Sequence, residues 1–188
     1  MPAAKLITEA EFKRALSICS TRRHSTRDQT ILQLSYLAGL RACEIAALTV
    51  ADVYTADGSV RSTVTLSAAQ TKGSRARVFY VNQRLERVLS RYWTVVRNPA
   101  PNGPLFQTQL GTAFSANTMS QLFLIIYSAA GLEGCSSHSG RRSFITRLAD
   151  QGVAVHLLAA LAGHRSIQTT QRYITVNDAL LARAVELA

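Results

Sequence analysis

Two glycines, Gly152 and Gly163, cut the stretch from His138 to Tyr173 into pieces too short for long helices. The first piece, HSGRRSFITRLAD, sets His138 and Arg141 three residues apart, on the same side of one helical turn. Phe144, Ile145 and Leu148 continue it as an apolar stripe, and Gly152 is placed to end it. A second short apolar helix (Val155, Leu157, Leu158, Leu161) breaks at Gly163. His164 follows at once, and a turn capped by Ser166 carries Thr169, Thr170 and Tyr173. Elements this short and this sharply punctuated aim two histidines, an arginine and a tyrosine at one point.

The chain of 188 residues is long enough for one well-buried domain. Its 21 Lys and Arg against 11 Asp and Glu give a formal charge of +10, a surplus that points to a polyanion, most often nucleic acid. Cys19, Cys43 and Cys135 are widely spaced and include no CxxC pair, which predicts reduced thiols, with no disulfide frame and no zinc site. No apolar run reaches membrane length and the N-terminal residues do not read as a signal peptide. The expectation is a soluble, cytosolic, basic domain.

Along the chain, Thr8-Glu9-Ala10-Glu11 is a capping box opening a helix to about Cys19, with Phe12, Ala15 and Leu16 inward. The loop Thr21-Arg22-Arg23-His24 is basic and reads as solvated or phosphate-touching. Ser25 with Asp28 predicts another helix start, leading through Ile31, Leu32, Ser35 and Tyr36 to a stop at Gly39. Arg41 then begins a short helix, LRACEIAAL, and Glu44 lies one turn later on the same face. From Asp52 to Val81 the period turns from helical to alternating, with Asp57-Gly58 as a turn and Thr71-Lys72-Gly73-Ser74 as a hairpin tip. Asn82 caps an amphipathic helix with Leu85, Val88, Leu89, Tyr92, Trp93 and Val96 on one face. Met119, Leu122, Phe123, Ile126 and Tyr127 mark another buried face. Asn177 predicts a last helix with Leu180, Leu181, Ala184, Val185 and Leu187 apolar.

The polar residues left outside these stripes suit chemistry at a phosphodiester, which needs a nucleophile, cations on the non-bridging oxygens and an acid for the leaving oxygen. Arg41 and Arg141 can each fork two hydrogen bonds onto phosphate oxygens. His138 and His164 can donate to the same group or move a proton, and the Tyr173 hydroxyl can form a covalent intermediate. Of the 21 basic side chains only Lys5, Lys13 and Lys72 are lysines. A chain so inclined to arginine keeps one lysine at a hairpin tip, as proton donation would require, since lysine can give up its proton and arginine effectively cannot. Tyr36, Tyr92 and Tyr127 sit on apolar stripes and read as core. His156 carries no functional claim, and His24 reads as solvated.

GLRACEIAAL around Arg41, TKG around Lys72, HSGR from His138 to Arg141 and LAGHRSIQTTQRY through His164 to Tyr173 together resemble the tyrosine recombinase (phage integrase) family. The resemblance covers essentially the whole chain. It implies an α+β fold, a mostly helical catalytic domain with a small antiparallel β-sheet near residues 52–81. It also implies a single catalytic domain over 1–188. Most members carry a separate N-terminal core-binding domain ahead of it, and the expectation here departs from that plan, with the chain starting at about the catalytic domain's first helix and no such domain. The implied catalytic set is Arg41, Lys72, His138, Arg141, His164 and Tyr173, with Glu44 supporting Arg41. The implied activity is site-specific breakage and rejoining of DNA strands through a 3′-phosphotyrosyl link, with no cofactor or metal. The implied partners are double-stranded DNA, further copies of the chain (a tetramer in the synaptic complex) and, optionally, accessory DNA-bending proteins. The implied setting is a bacterial or phage-encoded protein acting on the nucleoid, with no membrane. Three rivals stand beside this reading: a helix-turn-helix regulator, a DNA-binding protein with a dead site, and a type IB topoisomerase. The first fails locally, because Tyr54-Thr-Ala-Asp-Gly-Ser stands where a recognition helix should begin.

Overall fold

The computed structural model describes residues 4–96 and 100–174, together with Ala182, Val185 and Glu186. Of the helix expected from Asn177 onward, most lies outside the described residues; Ala182 and Val185 are helical, and Val185 is exposed. Helices α1 (Glu9–Ser20), α2 (Ser25–Ala38), α3 (Ala42–Ala47) and α4 (Val50–Val53) lead to a two-stranded antiparallel sheet, β1 (Thr63–Leu66) and β2 (Arg77–Tyr80). Helices α5 (Gln83–Trp93), α6 (Ala116–Ala129), α7 (Ser139–Asp150), α8 (Val155–Ala162) and α9 (Ile167–Gln171) follow. The fold is thus mostly helical with one small sheet, as the sequence predicts. No helix among the described residues is long and apolar enough to cross a membrane.

The middle of the fold is α2, which packs against α1, α5 and α7. Every residue from Thr30 to Ala38 is buried, so the one-sided stripe expected here is in fact a helix covered all round. Its ring Tyr36 stacks on Phe12 of α1 at 3.7 Å between centroids. The capping box at Thr8 and Glu11 forms as predicted, and so does the Asn82 cap of α5. Leu85, Leu89 and Tyr92 of α5 are buried, as are Met119, Leu122, Phe123, Ile126 and Tyr127 of α6.

Three expectations need correction. The alternating pattern begins at Thr63, because residues 50–53 form one helical turn closed by the Thr49–Asp52 capping box. Helix α2 does begin at Ser25, as predicted, with His24 in the cap position and Asp28 buried between Arg22 and Arg27. His24 is accordingly half-buried, with its Nε2 shut off from solvent, and is not solvated. In α8 the inward side is Leu158 with two small residues, Ala159 and Ala162, that allow close approach to its neighbours, while Leu157 is exposed.

Candidate active site

Two left-handed glycines begin the site. Gly39 (φ +66°) ends α2 and Gly163 (φ +60°) ends α8, each turning the chain so that Arg41 or His164 follows within two residues. A side chain would fit at neither: a Cβ on Gly39 would stand 2.5 Å from the Phe144 ring, and one on Gly163 would stand 2.6 Å from Cδ of Arg77. Helix ends leave carbonyl oxygens without partners. Here one side chain serves both ends. Arg141, on the first turn of α7 and 4% exposed, donates to the Gly39 carbonyl at 2.7 Å and to the Ala162 carbonyl. Among the described residues it has no carboxylate within ion-pair distance. Burial, then the neighbouring Arg41, push its pKa down to about 9, so it stays charged at neutral pH.

Glu44 is the centre of a second cluster. Its fully buried carboxylate accepts from the Arg41 backbone N–H (2.8 Å) and Nη1 (2.7 Å), and from Arg77 Nε (3.0 Å) and Nη2 (2.6 Å). Burial alone would raise its pKa, but the Arg77 fork and the Arg41 contacts outweigh that and hold it below the usual carboxylate value. Arg77 also donates to the Leu161 carbonyl at 3.2 Å, which fastens β2 to the end of α8. The arginine–glutamate pair was expected from spacing; Arg77 was missed. A signal was available: Leu66 pairs with Arg77 and Val64 with Phe79, so Arg77 occupies an inward position of an otherwise apolar alternation.

The remaining candidates gather around these arginines. His164 is half-buried, its Nδ1 lies 2.8 Å from the Thr170 hydroxyl, and its ring stacks on Tyr173 at 5.8 Å and 20°. Burial, then the charges of Arg141, Arg41 and Arg77, push its pKa down to about 4, so the imidazole is neutral at pH 7. With Nδ1 held by Thr170, the other ring nitrogen is left to serve a ligand. Thr170 is fully buried and is a second residue that the sequence reading left without a role. Tyr173 is half-buried, just past the end of α9, and close enough to Arg141 to influence its charge. His138 caps α7 at the surface; partial burial, then Arg141, Lys72 and Arg41, lower its pKa. Lys72 is exposed on the loop before β2, within electrostatic range of His138. The structure therefore brings all seven predicted residues into one neighbourhood. It holds Arg141 and Glu44 deep, Arg41, His164 and Tyr173 midway, and His138 and Lys72 outermost. Among the described residues no three His, Cys, Asp or Glu side chains come together as a metal-ligand set.

The chain belongs to the phage integrase family, whose model matches residues 5–179. Among its curated relatives is tyrosine recombinase XerD of Neisseria meningitidis, 30% identical over 186 residues that cover 96% of this chain and 62% of that protein. Tyrosine recombinase XerC of Pelobacter propionicus is 26% identical over 155 residues, 82% of this chain and 49% of its own. The chain thus spans about half to two thirds of these relatives' length. Among solved structures, the XerA recombinase matches with a TM-score of 0.77 at 22% identity, over 100% of this chain and 66% of that one. The XerH site-specific recombinase bound to a palindromic difH substrate, in a post-cleavage complex, matches at 0.70 and 21%, over 96% and 51%. These likenesses establish the fold as that of the recombinase catalytic domains.

Proposed function

We propose that this chain is the catalytic part of a site-specific DNA recombinase that cuts and rejoins strands through a tyrosine. One observation carries the reading: Arg41 and Arg77 share the single carboxylate of Glu44 and Arg141 has none, so the three arginines keep two positive charges in excess, with Arg141 within electrostatic range of Tyr173. Keeping cations in a half-buried place without counter-ions is costly unless an anion completes the site. A phosphodiester has the right charge and the right oxygens for the forked donors. The recombinase relatives support the same class of chemistry.

In this reading the Tyr173 oxygen attacks the scissile phosphorus as the bond to the 5′ oxygen breaks, leaving a 3′-phosphotyrosyl link and a free 5′-hydroxyl. Arg41 and Arg141 hold the non-bridging oxygens, and His164, neutral and oriented by Thr170, donates a further hydrogen bond as charge builds up. His138 takes up the tyrosine proton. Lys72 gives its proton to the departing 5′ oxygen. Attack by a partner strand's 5′-hydroxyl reverses these steps, so the phosphotyrosine bond conserves the energy of the cut. We further propose that strand exchange needs several copies of the chain on double-stranded DNA, four in the synaptic complex.

The test is a covalent trap. The chain is incubated with DNA from its native locus, stopped with denaturant, and the DNA that stays attached is sequenced. Attachment at defined 3′ ends, absent with Tyr173→Phe, is the expected result. Salt-sensitive binding with no covalent species would instead make the protein a DNA binder without this chemistry.

A further inference from the structure

The loop that carries Lys72 is weakly tied to the protein. Residues 72–76 are all exposed, and Ser74 adopts a positive φ of +51°. Its internal order comes from Thr71, whose hydroxyl donates to the Arg75 carbonyl at 2.6 Å and accepts from the Arg75 N–H at 3.1 Å. Those bonds fix the shape of the loop but not its place over the site. Among the described residues, one side chain from elsewhere reaches it. Arg165 donates through Nη2 to the Gly73 carbonyl at 2.6 Å. The approach is close, since a Cβ on Gly73 would stand 3.2 Å from that nitrogen.

The two partners are the immediate neighbours of two proposed catalytic groups: Arg165 follows His164, and Gly73 follows Lys72. The same pair of segments is joined again at the other end of the loop by the Arg77 bond to the Leu161 carbonyl. The loop is therefore fastened at Gly73 and at Arg77 to the run from Leu161 to Arg165, and Lys72 stands immediately before the first fastening. An exposed hydrogen bond of this kind adds little to global stability. Its effect falls on where the loop sits.

We propose that Arg165 is a positioning residue that holds the Lys72 ammonium over the departing 5′ oxygen. The inference rests on the reading of Lys72 as the acid given above. A side chain displaced by about 1 Å from its productive place can cost on the order of 100-fold in rate.

Single-turnover cleavage at the site recovered by the covalent trap tests it. One substrate is ordinary DNA; the other carries sulfur in place of the bridging 5′ oxygen at the scissile phosphate. Sulfur departs as a stable thiolate and needs no proton, so a defect confined to the acid disappears on it. Arg165→Ala is expected to slow ordinary DNA about 10- to 100-fold and to return to near the unaltered rate on the sulfur substrate, with equilibrium DNA binding unchanged. Lys72→Ala shows the same pattern, the double variant is no slower than Lys72→Ala alone, and Arg165→Lys recovers part of the loss. An unchanged rate on ordinary DNA with Arg165→Ala overturns the proposal. Equal slowing on both substrates overturns it as well, because the defect would then lie outside proton delivery. If the unaltered chain forms no adduct on either DNA, the recombinase reading itself fails and the inference falls with it.

Discussion

Among the described residues, a carboxylate is buried between two arginines twice. Asp28 accepts from Arg22 Nε at 2.7 Å and from Arg27 Nε and Nη2 at 2.9 and 2.8 Å. Glu44 is gripped in the same manner by Arg41 and Arg77. The clusters differ in what the arginines do with their remaining donors. Arg27 gives Nη1 to the Gln107 carbonyl at 2.7 Å and lays its guanidinium 5.2 Å from the centre of the Phe114 ring, so its donors are used within the fold. Arg41 donates from its side chain through Nη1 alone among the described residues, and Arg141 stands beside it with no carboxylate of its own. A buried carboxylate with two arginines is thus a common structural knot. A site is marked by donors and charge left over once the knot is tied.

Substitutions can break or sharpen this contrast. The largest effect is expected at Arg141. Arg141→Ala should lower cleavage by about 100- to 1000-fold, while Arg27→Ala leaves the rate per folded molecule unchanged. Arg141→Lys keeps the charge without the fork and should remain severely slowed, which separates phosphate geometry from folding. Equal losses at both arginines would erase the distinction drawn here. Next come the carboxylates themselves. Glu44→Gln and Asp28→Asn should each destabilise the fold by about 3–5 kcal/mol, because each strands buried guanidinium charge. Denaturant titration reads that shared cost, and cleavage per folded molecule should fall only with Glu44→Gln.

A smaller effect is expected at Thr170. Thr170→Val keeps the shape and removes the hydroxyl, so it should cost about 1 kcal/mol of stability and slow cleavage about 10-fold. Normal cleavage in this variant would show that the His164 ring needs no orienting partner. The smallest effect is a pH dependence. Between pH 6.5, the ordinary histidine value, and about 4, the unfolded chain binds a proton at His164 that the folded chain refuses. Stability should therefore decline as pH falls through that window and level off below it. His24 contributes in the same direction, its pKa lowered first by burial and then by Arg27. His164→Gln should flatten part of the decline, and an unaltered profile in that variant would assign it to other groups.

What the sequence disclosed follows from the range of the interactions involved. Arg41 and Glu44 are three residues apart on one turn, so local spacing announces them. The apolar faces of α5 and α6 were legible for the same reason: their period is written in consecutive residues. Arg77 and Glu44 are 33 positions apart, and their contact depends on how a hairpin packs on a helix. Only the inward parity of Arg77 hinted at it. Asp28 was legible only in part. Its place three residues after Ser25 marks the start of α2, but its burial between two arginines, one of them from the preceding loop, was not legible. Thr170 was named in the motif without a role because a buried threonine reads as packing until its histidine neighbour is seen.

The bonds from Arg141 to the Gly39 and Ala162 carbonyls have a spectroscopic consequence. A carbonyl carbon's chemical shift responds to the hydrogen bond its oxygen accepts. If a phosphate arrives and takes part of the guanidinium's attention, two backbone carbons at opposite ends of the sequence should register it together. Isotope labels at Gly39 and Ala162 would then serve as a paired gauge of phosphate capture, placed on the protein's own framework and requiring no tag on the DNA. The two signals should move in step with the arrival of the ligand, before any bond to Tyr173 is made.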